Sequence, residues 1–382
     1  MKYTKIKGKD ISLLGFGLMR LPKLSGKPTE IDYEQSIKLV DYAMANGVNY
    51  YDMAFTYPGS EEFAGEALSK YPRDSYNLAT KCPPWKVKSA DDFERIFNEQ
   101  LRRCKTDYFD FYLIHNFAQE LMRASGNPKS FENFEKIGFY DMLEKKKAER
   151  KIKALGFSFH GTNELLEKFV DKYAVDFGQL QINYIDWTAT DAKTQYEILH
   201  SRKIPITVME PLRGGALAKL SLQSAKILKN ASPNASIASW GIRYAASLPG
   251  ISTILSGMNE LSQLDDNIKT LNNPLPITAQ EKELLNEAVT IYKKSGAIAC
   301  TECGYCIPCP HGINIPSIFS IYNHAQMVGY RIPFDNGYAT LNESEKASAC
   351  TECGICAEKC PQHIEIPKYM KQIEEFAQTE SL

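Results

Sequence analysis

Short apolar runs alternate with amphipathic segments along roughly the first 270 residues. The runs predict strands at Leu13–Phe16, Val48–Tyr51, Tyr76–Thr80, Phe109–Ile114, Ala154–Ser158, Phe177–Ile182, Pro205–Met209 and Ile251–Leu255. Apolar residues at helical spacing between them predict helices that include Tyr33–Met44, Asp91–Cys104, Glu164–Lys172 and Ala235–Ala246. Strands that alternate with helices over about 260 residues are typical of a (β/α)8 TIM barrel. We therefore predict an α/β barrel, with Thr4–Leu13 as a hairpin outside it.

The pattern changes after the barrel. A periodic segment over Ala279–Lys294 predicts a connecting helix. Beyond it, two cysteine-rich loops are each followed by an Ile-Pro pair and a stretch of helical periodicity, which is a weak internal duplication. We predict a barrel over 1–275, a connecting helix over 276–295 and a small, mostly helical domain over 296–382.

Eight of the ten cysteines lie in these two loops, and each run ends in Cys-Pro. Spacing of this kind is typical of two [4Fe–4S] clusters, in which the fourth cysteine of each run binds the other cluster. The assignment gives one cluster Cys300, Cys303, Cys306 and Cys360, and the other Cys350, Cys353, Cys356 and Cys309. The first run departs from the usual pattern, because two residues rather than three separate Cys306 from Cys309.

Two other uses of clustered cysteines fit this pattern less well. All-cysteine zinc sites also use pairs two residues apart, but zinc does not require a third evenly spaced cysteine followed by Cys-Pro. Disulfides fit less well, because residues 1–10 carry four lysines and no apolar core, and so do not form a signal peptide. Cluster thiolates in a chain without an export signal predict a reducing, cytoplasmic location.

Charge and hydropathy exclude several classes of partner. The formal net charge is −1, which favours neither nucleic acid nor an anionic membrane surface. No apolar run approaches the roughly 18 residues of a membrane span. We expect a small-molecule substrate.

Four polar residues stand at or above the ends of consecutive predicted strands. Asp52, Lys81 and His115 follow the second, third and fourth strands, and Tyr57 lies in the loop above the second. In a barrel of this kind the chemistry lies at the carboxyl ends of the strands. A lysine beside an aspartate and a tyrosine can lower the pKa of the phenol and make it a proton donor or acceptor. His115 is suited to orient a carbonyl oxygen.

Over about residues 1–275 the chain resembles the aldo-keto reductases, and with both cysteine runs it resembles their iron–sulfur-containing branch. The motifs that carry the resemblance are Gly15–Arg20, Tyr51–Tyr57, Ala79–Lys81, Leu113–Asn116, Gly156–Ser158, Gln179–Tyr184, Pro211–Gly215 and Ser256-Gly257 with Asn267. The resemblance implies a catalytic tetrad of Asp52, Tyr57, Lys81 and His115, in which the tyrosine protonates a carbonyl while a nicotinamide delivers hydride.

The resemblance also implies contacts to a dinucleotide. They fall on Gly17, Met19, Arg20, Asp52, Ser158, Gln181, Met209, Pro211, Leu212, Gly214, Ser256, Gly257, Gln263 and Asn267. Three departures from the family pattern, at four positions, concern these contacts. Phe159 replaces an asparagine that holds the carboxamide, Met209 and Glu210 replace an aromatic and a small polar residue, and Asn259 replaces a basic residue that meets a 2′-phosphate.

Two functions follow as expectations. The first is a carbonyl or alcohol oxidoreductase that uses NAD(P)H, with the altered nicotinamide contacts also admitting a flavin. A cluster moves one electron and a hydride carries two, so a two-electron carrier must stand between the clusters and the substrate. The two clusters would exchange electrons with a redox partner such as a ferredoxin or flavoprotein. The second is an electron-transfer adaptor whose barrel is a scaffold for a partner and whose clusters carry electrons or only stabilise the fold.

Overall fold

The computed structural model describes residues 1–25, 27–117 and 130–379, and these residues form two units. The first unit holds the described residues up to Pro211 together with Ser239–Ile277, and the second holds Leu212–Ala238 and the described residues from Thr278 onward. The predicted domain boundaries at 275 and 296 stay a prediction.

Eight parallel strands close into a barrel in the first unit. They are β3 (Leu14–Gly17), β6 (Tyr50–Asp52), β7 (Asn77–Cys82), β8 (Phe109–His115), β9 (Ile152–Phe159), β10 (Phe177–Gln181), β11 (Ile206–Met209) and β12 (Ile251–Ser256). Each strand pairs with the next one along the chain, and β12 pairs with β3. The predicted barrel is confirmed, and each predicted strand is found within two residues of its expected ends.

Two hairpins accompany the barrel. Strands β1 (Tyr3–Ile6) and β2 (Lys9–Ser12) form the predicted N-terminal hairpin and bury Ile6 and Ile11 against residues that fill the barrel. Strands β4 (Lys23–Leu24) and β5 (Lys27–Ile31) form a second hairpin. The apolar pattern does not indicate it, because both residues of β4 are exposed.

Helices follow the strands and cover the outside of the barrel. In the first unit they are α1 (Tyr33–Ala45), α2 (Ser60–Leu68), α3 (Ala90–Arg103), α4 (Ser130–Lys136), α5 (Phe139–Ala148), α6 (Asn163–Lys172), α7 (Asp186–Ala189), α8 (Ala192–Ser201) and α11 (Leu261–Asn272). Helix α10 (Ile237–Ala246) begins two residues before the segment assigned to this unit. Asp32 and Ser89 cap α1 and α3 by accepting hydrogen bonds from backbone N–H groups of the first turn.

The second unit is mostly helical. Its helices are α9 (Leu222–Ala231), α12 (Ala279–Lys294), α13 (Ile315–Val328), α14 (Ile332–Tyr338), α15 (Ile355–Glu358) and α16 (Ile366–Gln378). The connecting helix lies where the periodicity predicts it, and Thr278 begins it with a capping box to Glu281. Helices α13 and α16 each start with a proline after a cysteine loop, and their apolar faces share one core with the cysteines.

None of the helices in the part of the chain that the structure describes combines the length and the apolar character that a membrane span requires.

The packing of α2 on the end of α3 yields a stability prediction. A Cβ at Gly65 would lie 2.8 Å from the carbonyl carbon of Cys104 and 2.9 Å from its Cα. Ala ordinarily stabilises a helix interior by about 1 kcal/mol over Gly. At Gly65 we expect Gly65→Ala to lower the free energy of unfolding by about 1–2 kcal/mol instead, because overpacking against backbone outweighs helix propensity.

Guanidinium unfolding followed by circular dichroism measures this change. The control is Glu66→Ala, an exposed position on the same helix, which should change the free energy of unfolding by less than about 0.5 kcal/mol. A more stable Gly65→Ala protein would contradict the close contact between α2 and α3.

Candidate active site and cysteine-lined cavities

Three adjacent strands bring Asp52, Lys81 and His115 to one end of the barrel. Asp52 is the last residue of β6, and Lys81 and His115 lie at the ends of β7 and β8. The strands pair in parallel, with Asp52 opposite Ala79 and Lys81 opposite Leu113. Since parallel strands end at the same rim, the register that closes the barrel also assembles these side chains.

Lys81 and Asp52 form a buried ion pair. The Lys81 Nζ lies 2.5 Å from Asp52 Oδ1 and donates a second hydrogen bond of 2.8 Å to the carbonyl of Met53. Burial raises the pKa of Asp52 and lowers the pKa of Lys81, and each charge opposes the shift of the other. Among the described residues, Asp52 Oδ2 has no hydrogen-bond partner.

Tyr57 and His115 lie beside this ion pair. The Tyr57 ring is half-buried, with its centroid 5.1 Å from Lys81 Nζ and 5.8 Å from the His115 ring, which it meets edge-on. Thr56 Oγ1 lies 3.3 Å from His115 Nδ1 and fixes the imidazole from the same loop. The structure thus brings together all four residues of the predicted tetrad.

Burial favours the neutral form of the His115 imidazole. Its pKa lies well below the ordinary value, first because the ring is buried and then because the charges of Lys81 and His160 oppose protonation. A neutral imidazole can donate one hydrogen bond to an oxygen without adding charge to the site.

Trp85 is a residue of this site that the sequence reasoning missed. Its ring centroid lies 5.4 Å from that of His115, in the turn directly after β7. The signal was available, because Pro83-Pro84-Trp85 follows Lys81 by only a few residues at a predicted strand end.

The predicted dinucleotide contacts in the first unit lie on the adjoining sector of the rim. Gly17, Met19 and Arg20 end or follow β3, Ser256 and Gly257 end or follow β12, and Met209 and Pro211 end or follow β11. Arg20 Nη2 lies 3.5 Å from Glu210 Oε1, and a Cβ at Gly257 would lie 3.1 Å from the Arg20 side chain. Arg20 therefore spans this sector.

The polar residues of this sector bond one another. Asn267 Nδ2 donates to Ser256 Oγ at 3.0 Å, and Gln263 Oε1 accepts from the Asn259 N–H at 3.1 Å. Gln181 Nε2 donates to Asp186 at 2.7 Å. These bonds order the rim around β10, β12 and α11.

The departure at Phe159 has a packing explanation. Its ring is fully buried, 5.1 Å from the Phe117 ring and 6.4 Å from the Phe157 ring. Phe157 and Phe117 in turn contact Phe169 of α6, so the aromatic cluster lies between β9 and the helix. Alternation along β9 directs Ser158 to the opposite face, toward the barrel interior.

Leu212 and Gly214 belong to the second unit, where Leu212 directly precedes a short 3-10 segment over Arg213–Ala218 that contains Gly214. Gly214 has φ of +66° and Gly215 has φ of +102°, a left-handed conformation that favours glycine. Arg213 Nη2 donates to the carbonyl of Ala299 at 3.2 Å, next to the first cysteine loop.

The eight clustered cysteines line two separate cavities in the second unit. The first is lined by Cys300, Cys303, Cys306 and Cys360. The second is lined by Cys350, Cys353, Cys356 and Cys309. Each cavity is lined by three thiols of one run and the last thiol of the other, and four thiols are the donor set that a cubane cluster requires.

The two remaining cysteines pack in the barrel. Cys104 is buried with its Sγ 3.6 Å from Met53 Sδ. Cys82 is fully buried, and burial raises the pKa of its thiol far above the ordinary value. Neither thiol has the exposure and lowered pKa of a reactive cysteine.

Two family profiles match the chain. The one described as "Aldo/keto reductase family" matches residues 13–289, and the one described as "4Fe-4S dicluster domain" matches residues 299–365. L-galactose dehydrogenase from Arabidopsis thaliana is 24% identical over 309 residues, which cover 74% of this chain and 91% of that relative.

Solved structures share the fold. The holo form of an aldo-keto reductase from Bacillus halodurans superposes with a TM-score of 0.60 at 22% identity, covering 75% of this chain and 96% of its own. An aldo/keto reductase from Klebsiella pneumoniae, solved in complex with NADP and acetate, gives 0.57 at 19% identity and covers 75% and 94%. The first profile spans well over half of the chain. The chain therefore belongs to the aldo/keto reductase family of oxidoreductases and carries a C-terminal 4Fe-4S dicluster domain.

Proposed function

We propose that this oxidoreductase interconverts a carbonyl and an alcohol, with Tyr57 as the proton donor or acceptor, and exchanges electrons through two [4Fe–4S] clusters. The observation that carries the proposal is the position of Lys81 Nζ, buried between the Asp52 carboxylate and the Tyr57 ring. An ammonium held there stabilises the phenolate that remains after Tyr57 gives its proton to the substrate oxygen.

Asp52 keeps the lysine charged and in place. A buried ammonium without a partner would lose its proton, and the short contact to Asp52 opposes that loss. The second hydrogen bond, to the carbonyl of Met53, fixes the direction of the lysine side chain. The Tyr57 phenol recovers its proton from water, since the ring is half-buried rather than enclosed.

His115 orients the substrate oxygen. Its neutral imidazole lies beside Tyr57 and can donate a hydrogen bond to the same carbonyl oxygen that Tyr57 protonates. Trp85 forms an apolar wall against the imidazole and helps exclude water from that oxygen.

NAD(P)H is the hydride source that we propose. The Klebsiella relative binds NADP, and the rim of β3, β11 and β12 would hold the nucleotide here through Arg20, Ser256 and Gly257. A bound nicotinamide would supply the hydride for the carbonyl carbon. Phe159 packs outward and replaces the asparagine that holds the nicotinamide carboxamide in the family. A flavin is therefore the other two-electron cofactor to test for.

The two cysteine-lined cavities would hold the clusters. Bound [4Fe–4S] clusters would supply one-electron transfer to a redox partner such as a ferredoxin or flavoprotein. The exposure of Cys353 supports exchange with such a partner, because it brings one ligand of the second cavity to the surface.

The proton role predicts the effect of Tyr57→Phe. With 4-nitrobenzaldehyde and either nucleotide under anaerobic conditions, we expect kcat to fall by about 10²- to 10⁴-fold, because the proton donor is lost. Tyr71→Phe is the control, since its hydroxyl bonds Asp41 outside the site. Unchanged turnover by Tyr57→Phe would overturn the role, and a wild-type enzyme inactive with both nucleotides would argue against reduction of this carbonyl.

The coupling of barrel and clusters predicts a nucleotide response. We expect NADH or NADPH, added anaerobically to the reconstituted protein, to bleach the cluster absorbance and to produce the EPR signal of reduced clusters. Dithionite is the control that reduces the clusters directly. If dithionite bleaches the clusters and neither nucleotide does, the nucleotide does not reduce the clusters by itself. A flavin or an external electron donor would then be required.

The crossed ligand sets predict the outcome of paired substitutions. The double variant with Cys303→Ser and Cys360→Ser should lose one cluster, because both thiols line the first cavity. The double variant with Cys303→Ser and Cys309→Ser should lose both clusters, since Cys309 lines the second cavity. Iron content and EPR measure the difference, with the buried Cys104→Ala as control. The reverse result would mean that each run holds its own cluster.

A further inference from the structure

Glu61 is a buried carboxylate that the proposed reaction does not use. It lies in the first turn of α2, one helical turn after Tyr57, and it is 1% exposed. Burial raises its pKa, and hydrogen bonds from Thr80 and Gln100 and the charge of Arg103 oppose that shift. Placing a carboxylate in a protein interior costs several kcal/mol, so packing alone gives no reason for it.

The contacts of Glu61 connect three elements, α2, α3 and β7, and its Oε2 pairs with Arg103 Nη1 of α3 at 3.3 Å. Its Oε1 accepts hydrogen bonds from Thr80 Oγ1 at 2.6 Å and from Gln100 Nε2 at 2.7 Å. The same Gln100 Nε2 lies 3.2 Å from the carbonyl of Lys81, and Gln100 Oε1 accepts from the Tyr112 hydroxyl at 2.6 Å. Glu61 thereby joins α2 to β7 at the level of Lys81.

The start of α2 also fixes the Tyr57 loop. The Ser60 N–H donates to the carbonyl of Tyr57 at 3.1 Å, and Ser60 Oγ donates to the carbonyl of Leu18 at 3.0 Å. Glu61 is the next residue. Along β7, Thr80 faces the helices and Lys81 faces the barrel interior, because successive side chains of a strand point to opposite sides.

We propose that Glu61 is a positioning residue that holds the Lys81 ammonium and the Tyr57 ring at their working separation. It does so by tying Thr80, the neighbour of Lys81, to the helix that begins directly after the Tyr57 loop. The inference rests on the proposed roles of Tyr57 and Lys81. Glu61 itself touches no substrate.

Three variants separate positioning from stability. Glu61→Gln removes the charge at nearly constant shape, and Thr80→Val removes the hydroxyl that Glu61 binds without changing any charge. The matched control is Glu62→Gln. Glu62 is the next residue of α2 and also pairs with Arg103, at 3.0 Å, but its side chain is 41% exposed.

The first readout needs no substrate. The ionisation of Tyr57 is followed by tyrosinate absorbance, as the difference between each variant and the same variant carrying Tyr57→Phe, with the full chain under anaerobic conditions. We expect the midpoint of the Tyr57 titration to rise by about half a pH unit or more in Glu61→Gln and Thr80→Val. The reason is that a displaced Lys81 ammonium stabilises the Tyr57 phenolate less. The midpoint should stay in place in Glu62→Gln.

The second readout is the reduction of 4-nitrobenzaldehyde. We expect kcat to fall by about 10- to 100-fold in Glu61→Gln and Thr80→Val with KM within about 2-fold, since geometry at the reacting atoms changes and binding does not. A structural role alone would lower the melting temperature and leave both readouts unchanged.

The outcomes are distinct. If the midpoint of the Tyr57 titration does not change in Glu61→Gln and Thr80→Val, the inference is overturned, even if kcat for the aldehyde falls. A shift in Glu62→Gln of equal size also overturns it, because the effect would then belong to the Arg103 pairing. Moved midpoints in a protein that reduces no aldehyde support the positioning role and count against the proposed reaction instead.

Discussion

The buried ion pair between Lys81 and Asp52 is the interaction on which the candidate active site at this end of the barrel depends. Neither charge is stable alone in the interior, because an unpaired buried charge is strongly destabilising. Each residue therefore requires the other, and the pairing of β6 with β7 brings them within 2.5 Å. The Tyr57 ring lies 5.1 Å from the ammonium of this pair, so the proposed role of Tyr57 depends on the pair staying in place.

A second set of polar contacts lies on the opposite side of β7. Thr80, Gln100 and Glu61 bond one another behind Lys81, so the strand that carries the lysine is held from within by Asp52 and from outside by α2 and α3. Gly65 allows α2 to approach the end of α3 that closely. Contacts on both faces of β7 therefore restrict the movement of Lys81 relative to its neighbours.

The dicluster domain, like the barrel, brings together residues that are distant in sequence. In the barrel, residues distant in sequence meet because strands close in register. In the second unit, Cys360 joins the first cysteine run and Cys309 joins the second at the two cavities. The helices that follow each loop share one core with the cysteines, and this shared core holds the two runs together.

The sequence by itself determined the barrel and the cysteine loops, and it singled out the four residues predicted as a tetrad. Strand and helix periods are local properties, and the spacing of cysteines encodes their use directly. The sequence places Trp85 shortly after a predicted strand end but does not show its contact with His115. It also indicates neither the outward direction of Phe159 nor the hydrogen bonds of Glu61 to Thr80 and Gln100. Those depend on contacts between residues far apart in the chain, because the direction of a side chain at a strand end follows from the closed register. Only the tertiary structure decides that register.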